Sequence, residues 1–416
     1  MKKTYNKVLD NGLRVYIVEN TKKNRCGARI VIKAGGHNIN YFDSNGNKKE
    51  IKKGIAHFLE HYLIEKSIYG NLGKYFSDES MNFNGVTYFD RTEFYFSTVH
   101  DFKEALIRLI KLVNKPNFNE LDIEEVKKPV IEEIKRSIDN KYRQESKKID
   151  EAYYYNFPGD INLGDIETIE NLTIDDLKEF HECFYSTNNQ ILSIYSKYDI
   201  NEVKKIINKE YKNNQKDIKV EEIKEPVAIK EKELVIVDDK EDEMLRLRFK
   251  IDLEGYSNWD VYVLESYLFY LTRTNFSIDS KLFKKLRDNN YTIYSIETAF
   301  DYNKAIRLLN FEVIVYTSEF EKVKDMILET LNNIDYDEEN FEIIKNNLII
   351  SFINKQEQNS FQNNSWLDNY LIYDLDYLDS IDDIKKENTK EMKEVLEKID
   401  FSNYLVVKRV KKEENV

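Results

Sequence analysis

The sequence predicts an α+β protein built from two homologous tandem domains, each a mostly antiparallel sheet packed with helices. Runs rich in β-branched and aromatic residues alternate with segments of helical apolar spacing. The order of those runs in the first half recurs in the second. Between the halves, residues 213–232 are dense in Lys and Glu, include Pro226 and lack a packing pattern, as expected of a solvated linker. The domains are therefore expected at 1–212 and 233–416.

In chain order, residues 8–19 carry the hairpin signal Asn11-Gly12 ahead of the strand Leu13-Arg14-Val15-Tyr16-Ile17-Val18. A second strand, Ala28-Arg29-Ile30-Val31-Ile32-Lys33, stops at Ala34-Gly35-Gly36. A polar loop over 38–53 leads into Gly54-Ile55-Ala56-His57-Phe58-Leu59-Glu60-His61-Tyr62-Leu63. Apolar residues fill the gaps in that stretch and flank it, the pattern of a largely buried helix. Residues 67–80 follow, then Asn82-Phe83-Asn84-Gly85-Val86-Thr87. The aromatic and β-branched run 92–99 predicts a strand. Helical spacing covers 102–113, a strongly charged helix begins over 123–138, residues 172–180 form a short capped helix, and 190–195 close the half as a strand.

After the linker, residues 234–237 and 245–251 take the place of the opening strands. Residues 261–271 stand where the buried helix stood but hold no histidine. Segments 320–334, 336–341, 389–392 and 404–407 echo 102–113, 121–126, 173–176 and the closing strand.

The formal charge of −13 over 416 residues argues against a nucleic-acid-binding surface and against anionic membranes. No apolar run approaches the ~20 residues that span a bilayer. Met1-Lys2-Lys3-Thr4-Tyr5-Asn6 leads straight into strand-like sequence, without the apolar core of a signal peptide. Cys26 and Cys183 lie far apart and are expected as free thiols, which points to the cytosol.

His57, Glu60 and His61 spell H-x-x-E-H. Residues four apart on a helix share one face, with about 5–6 Å between Cβ atoms. His57 and His61 can therefore converge on one metal ion with Glu60 beside them. Two imidazoles and one carboxylate, with a fourth position left for water, form a usual ligand set of catalytic zinc. The order is the inverse of H-E-x-x-H, and in both the intervening Glu is the natural general base. The alternative is a pair of core histidines satisfied by carbonyls. Against it, the chain has only five histidines, and two of them fall at metal spacing beside a carboxylate. None follows His181, so the metal is expected in the first half alone.

With these motifs the chain resembles the pitrilysin/insulinase superfamily of zinc peptidases, in a short form similar to processing-peptidase subunits. The resemblance runs through Asn11-Gly12-Leu13, Gly35-Gly36, the stretch from Gly54 to His61, Asn84-Gly85-Val86-Thr87, Arg91-Thr92, and Leu286-Arg287 with Tyr294. It implies two domains that face each other, or a partner, around a chamber. It also implies Zn2+ held by His57 and His61 with Glu60 as base, and Asn84 beside the backbone of a peptide that adds to an edge strand. Arg287 and Tyr294 are implied as oxyanion stabilisers. The third ligand is implied on a later helix, where Val130-Ile131-Glu132-Glu133-Ile134 fits with Glu133 in the slot. Glu132 is the competitor, and Pro129 can kink the helix just ahead of either.

The expected activity is that of a zinc metalloendopeptidase acting on peptides or unfolded segments, for general turnover or for removal of a leader. A dimer is expected, either a homodimer, since one chain carries both the metal motif and the Arg/Tyr pair, or a heterodimer with a related subunit. The rival from another class is a non-catalytic peptide-binding subunit, which has no need of H-x-x-E-H. A purely structural zinc site would want four protein ligands, usually thiolates.

Overall fold

The computed structural model describes residues 2–36, 40–42, 46–156, 162–221, 224–238, 241–272, 280–304, 307–333, 338–357, 367, 370–373, 380–386 and 389–412. The echoes expected at 334, 336 and 337 lie outside them. The chain forms two compact units. The first comprises Met1–Gln144 and Asp160–Ile223 with Gln356–Ser365, and the second Glu145–Gly159, Lys224–Lys355 and Trp366–Val416.

In the first unit, β1 (Lys2–Val8) and β2 (Arg14–Asn20) form an antiparallel hairpin. Its turn holds Gly12 at φ +78°, a conformation that glycine adopts without steric cost. Further strands are β3 (Cys26–Ile32), β4 (Asn40–Phe42), β5 (Lys48–Glu50), β6 (Asn82–Thr87), β7 (Thr92–Thr98), β8 (Gln190–Ser196) and β9 (Val220–Glu221). Among the described residues the main sheet has the order β1-β2-β8-β3-β7-β6, with β2 and β8 its one parallel pair. Every residue of β8 is buried, as a strand between two others and under helices must be.

Helices α1 (Ile55–Glu65), α2 (Leu72–Asp78), α3 (Phe102–Asn114), α4 (Glu120–Asp139), α5 (Lys141–Tyr153), α6 (Ile166–Glu170), α7 (Ile174–Phe184) and α8 (Ile200–Glu210) follow the predicted apolar spacing where one was read. The α2, α5, α6 and α8 helices were not anticipated. The Thr173 and Asp176 side chains form a reciprocal cap on α7, which fixes its start. Buried residues of α1, α3, α4 and α7 share one core with the sheet. The α4 helix runs unbroken through Pro129, burying Val126, Val130 and Ile134.

The second unit repeats this plan with β10 (Glu233–Val237), β11 (Met244–Asp252), β12 (Ile296–Asn303), β13 (Leu308–Tyr316) and β14 (Tyr404–Val410), in the order β10-β14-β11-β13-β12. That is the β2-β8-β3-β7-β6 order again, down to a single parallel pair at the β10 edge. Its helices include α9 (Asn258–Thr272), α10 (Lys281–Asp288), α11 (Phe320–Asn332) and α12 (Glu338–Glu357). Among the described residues no helix is long and apolar enough to cross a membrane.

Two expectations need correction. The first domain does not keep all of residues 1–212, because Ile149, Ala152 and Tyr153 of α5 join a core with Ile229, Ile236, Leu405 and Val407 of the second unit. Nor is the segment 213–232 solvated throughout. The Glu225 carboxylate accepts the N–H groups of Tyr155 and Asn156 and pairs with Lys250 at 3.0 Å, both side chains being fully buried. Lys250 also donates to the Pro226 and Ala228 carbonyls. Buried charges persist only when paired and hydrogen-bonded. Composition reads a Lys/Glu-rich stretch as solvated because the partner of Glu225 lies on a strand it cannot see.

Candidate metal centre

The α1 helix begins at Gly54, at φ +77°, where a Cβ would lie 2.5 Å from the Leu163 carbonyl oxygen. From there the helix is buried almost all round. Tyr62 ties it to the start of α4: its hydroxyl accepts the Asn119 N–H at 2.8 Å and lies 3.1 Å from the Asn117 carbonyl. This brace holds the two helices in register, so that Glu133 on α4 comes opposite His57 and His61 on α1.

The Glu133 Oε2 atom is 3.7 Å from His57 Nε2 and 3.4 Å from His61 Nε2. These separations are too long for hydrogen bonds. Donors about 2.0–2.2 Å from one tetrahedral zinc ion lie ~3.3–3.6 Å apart; the His61 separation falls in that range and the His57 separation just beyond it. All three ligand atoms lie within 4.8 Å of one another, and no other such group occurs among the described residues. His57 Nδ1 is buried without a hydrogen-bond partner. Burial, helped by His61 and Arg143, pushes the His57 pKa down to about 3, so this imidazole is neutral and able to bind metal at ordinary pH. Burial acts on His61 in the same sense but is outweighed by Glu65, Glu60 and Glu133, leaving its pKa raised. The Glu65 carboxylate, 3.6 Å from His61 Nδ1, is placed to orient that ring. The donor set thus fits a zinc ion. Glu132 faces away, exposed and paired with Lys135 at 2.8 Å.

Glu60 faces the same cleft. Its Oε2 accepts the Thr87 hydroxyl at 2.9 Å, and burial pushes its pKa up to about 7 against the opposing pull of His61. A carboxyl held near neutrality is suited to taking and returning a proton. Successive strand residues face opposite sides of a sheet. Gly85 and Thr87 of β6 face Glu60, whereas the Asn84 side chain lies on the other face and donates to the Tyr95 hydroxyl at 3.3 Å. Asn84 nevertheless lines the cleft. Among the described residues nothing pairs with the outer edge of β6.

Arg287 and Tyr294 lie in the second unit. Arg287 stands in the last turn of α10 with its side chain half exposed, and Tyr294, 72% exposed, precedes β12. The interval between them is a helix-to-strand step. In this unit Tyr262, Glu265 and Ser266 stand on α9 at the spacing of His57, Glu60 and His61 on α1. The buried residues Val263, Leu264, Tyr267 and Leu268 repeat Phe58, Leu59, Tyr62 and Leu63. The repeat has kept the carboxylate, which the Tyr373 hydroxyl now holds, and lost both imidazoles.

Sequence reasoning gave no role to Thr87, Gly85, Tyr62 or Glu65. A signal existed for Glu65, four residues beyond His61 on one helix face. Thr87 and Gly85 lay inside a quoted motif without an assigned partner.

Sequence profiles agree with the repeat. The profile of the insulinase family, peptidase family M16, matches residues 14–159, and that of the peptidase M16 inactive domain matches 171–348. An uncharacterized zinc protease of Bacillus subtilis, YmfH, is 33% identical over 238 residues, 55% of this chain and 55% of that protein. The match thus spans about half of that relative's length. A putative M16-like peptidase from Alicyclobacillus acidocaldarius shares the fold with a TM-score of 0.85 at 19% identity, over 99% of both chains. Pitrilysin shares it with a TM-score of 0.75 at 21% identity, over 98% of this chain and 45% of its own.

Proposed function

Because the chain belongs to the pitrilysin/insulinase superfamily, peptidase family M16, we propose that it is a zinc-dependent metalloendopeptidase acting on peptides or unfolded protein segments. The observation that carries this reading is the convergence of His57, His61 and Glu133 beside a Glu60 carboxyl raised to about 7. A structural zinc site would need no such base.

A zinc ion held by His57, His61 and Glu133 would supply Lewis acidity and would lower the pKa of water toward neutrality. Glu60 takes the water proton and returns it to the leaving amine, while the Thr87 hydroxyl fixes which carboxylate oxygen is available. The peptide adds along the outer edge of β6, its main chain hydrogen-bonding to the strand. This mode gives affinity with little dependence on sequence. Arg287 and Tyr294 are proposed as donors to the developing oxyanion, in a homodimer or a heterodimer with a related subunit. The free thiols Cys26 and Cys183 suit a cytosolic location.

The test is metal analysis of the purified protein together with hydrolysis of quenched peptides, before and after chelation and after zinc is restored. Stoichiometric zinc and chelator-sensitive cleavage are expected. Zinc-loaded protein that cleaves no peptide overturns the enzyme reading and leaves a peptide-binding subunit.

A further inference from the structure

Among the described residues, no strand pairs with the outer edge of β10. Its counterpart in the first unit, β2, has the parallel β8 on one side and the antiparallel β1 on the other. β10 keeps the parallel neighbour, β14, and has no strand in the place of β1. The residues just ahead of it are held elsewhere. Lys250 takes Glu225 and the Pro226 and Ala228 carbonyls, and the Glu231 N–H donates to the Ala152 carbonyl at 2.8 Å.

The edge left open is apolar. Val235 and Val237 are 52% and 60% exposed, on the face of the sheet opposite Ile236, which lies in the core with Leu405 and Val407. The backbone is turned outward at the same residues. The Lys232 carbonyl accepts the Val406 N–H at 3.0 Å, and the Asp238 N–H donates to the Val410 carbonyl at 2.9 Å. Alternate residues of a strand direct their N–H and C=O groups to opposite sides, so Leu234 and Ile236 serve β14 as Lys232 and Asp238 do. Glu233, Val235 and Val237 direct theirs to the open edge, a template for a further strand.

The stretch Glu233-Leu234-Val235-Ile236-Val237 fits a second copy of itself. In an antiparallel pair centred on Val235, Val235 meets its own equivalent and Glu233 meets Val237. All of these are outward-directed residues, as hydrogen-bonded pairs require. Leu234 meets Ile236 on the other face, which carries the core around Ile149, Tyr153 and Leu405 across the two-fold axis. No like charges face each other in this register, and Lys232 comes opposite Asp238, of opposite sign. A two-fold contact uses the same patch on both chains and closes at two.

We propose that the chain self-associates through its second unit, two β10 strands pairing antiparallel about Val235 so that two five-stranded sheets become one. This rests on neither the metal centre nor the peptidase reading. β10 and β12, the strand that Tyr294 precedes, are opposite edges of the sheet. Two strands of five residues bury less than a permanent interface does, so the dimer is expected to dissociate at micromolar concentrations.

The test is sedimentation velocity of the whole zinc-loaded protein from submicromolar to near-millimolar concentration, where a monomer–dimer equilibrium is expected. Val235→Lys and Val235→Glu each place like charges on the axis and should weaken the dimer by roughly 100-fold or more, with zinc content and urea midpoint unchanged. An equimolar mixture of the two should dimerise again, because residue 235 faces its own equivalent. In the unaltered protein, hydrogen exchange over 233–237 should slow as concentration rises, a reading that needs no variant. A monomer at every concentration overturns the proposal and leaves β10 as a short edge guarded by its flanking charges. A dimer that survives Val235→Lys, or exchange over 233–237 indifferent to concentration, overturns it and moves the contact to another surface. Charge variants that stay monomeric when mixed overturn the two-fold register about Val235.

Discussion

Gly85 gives Glu60 its position: a Cβ added to this glycine would lie 2.6 Å from Glu60 Oε1 and 2.9 Å from its Cγ. No positive φ is involved, so the requirement is one of space between β6 and α1. The same strand supplies the Thr87 hydroxyl on the other carboxylate oxygen. The base is thus clamped by a side chain on one oxygen and by an absent one at the other.

Gly85→Ala is expected to push the Glu60 carboxylate out of line. A displacement on the order of 1 Å at a reacting group costs up to ~100-fold in rate, and the added methyl destabilises by roughly 1–3 kcal/mol through overpacking. Zinc content should not change, since neither imidazole is touched. Peptide kinetics and metal analysis on one preparation check this, and near-normal kcat would show that Glu60 tolerates the shift.

Glu60→Gln is expected to keep zinc and lose ~10²–10⁴-fold in hydrolysis, the usual contribution of a general base. It should also stabilise the metal-free protein. The folded-state pKa, about 7, lies above the ordinary glutamate value of 4.5, so the folded protein retains a proton that the unfolded chain has released. Stability therefore falls as pH rises from about 4.5 through about 7, by at most ~3 kcal/mol. Gln removes that loss. Urea unfolding in chelator should place the variant above the parent at pH 8 and level with it near pH 4.5. Equal midpoints at pH 8 would show that burial of Glu60 carries no penalty.

Glu133→Gln is expected to lower zinc affinity by more than the ~10–100-fold typical of losing a group that merely supports a ligand. Glu132→Gln should change it little, because that carboxylate is exposed and paired with Lys135. Competition with a chromophoric chelator ranks the two, and the opposite order would move the ligand to Glu132.

Tyr294→Phe tests the second unit. If the hydroxyl serves the oxyanion, the rate should fall ~10²–10³-fold with zinc content and unfolding midpoint unchanged. Mixing this variant with Glu60→Gln protein should restore activity if one chain completes the zinc site of another. Unchanged turnover in Tyr294→Phe alone removes Tyr294 from the chemistry.

The sequence by itself determined the elements that depend on neighbours along the chain. Asn11-Gly12 specified its hairpin because the turn needs a positive φ at Gly12. The pair His57 and His61 was legible because one helical turn fixes their distance, and the duplication was legible because strand order repeats in the apolar pattern. Glu133 and Glu132 could not be separated by spacing, since adjacent positions on a charged helix have the same composition. The decision came from which of them the buried Val126-Val130-Ile134 stripe and the Tyr62–Asn119 brace turn toward α1. The clamp on Glu60 likewise needs β6 beside α1. The docking of Glu225 needs Lys250 on a strand, and with it α5 leaves the first unit for the second. Each of these depends on partners distant in the chain, and a buried charge or an absent Cβ acquires its meaning only from what folding brings against it.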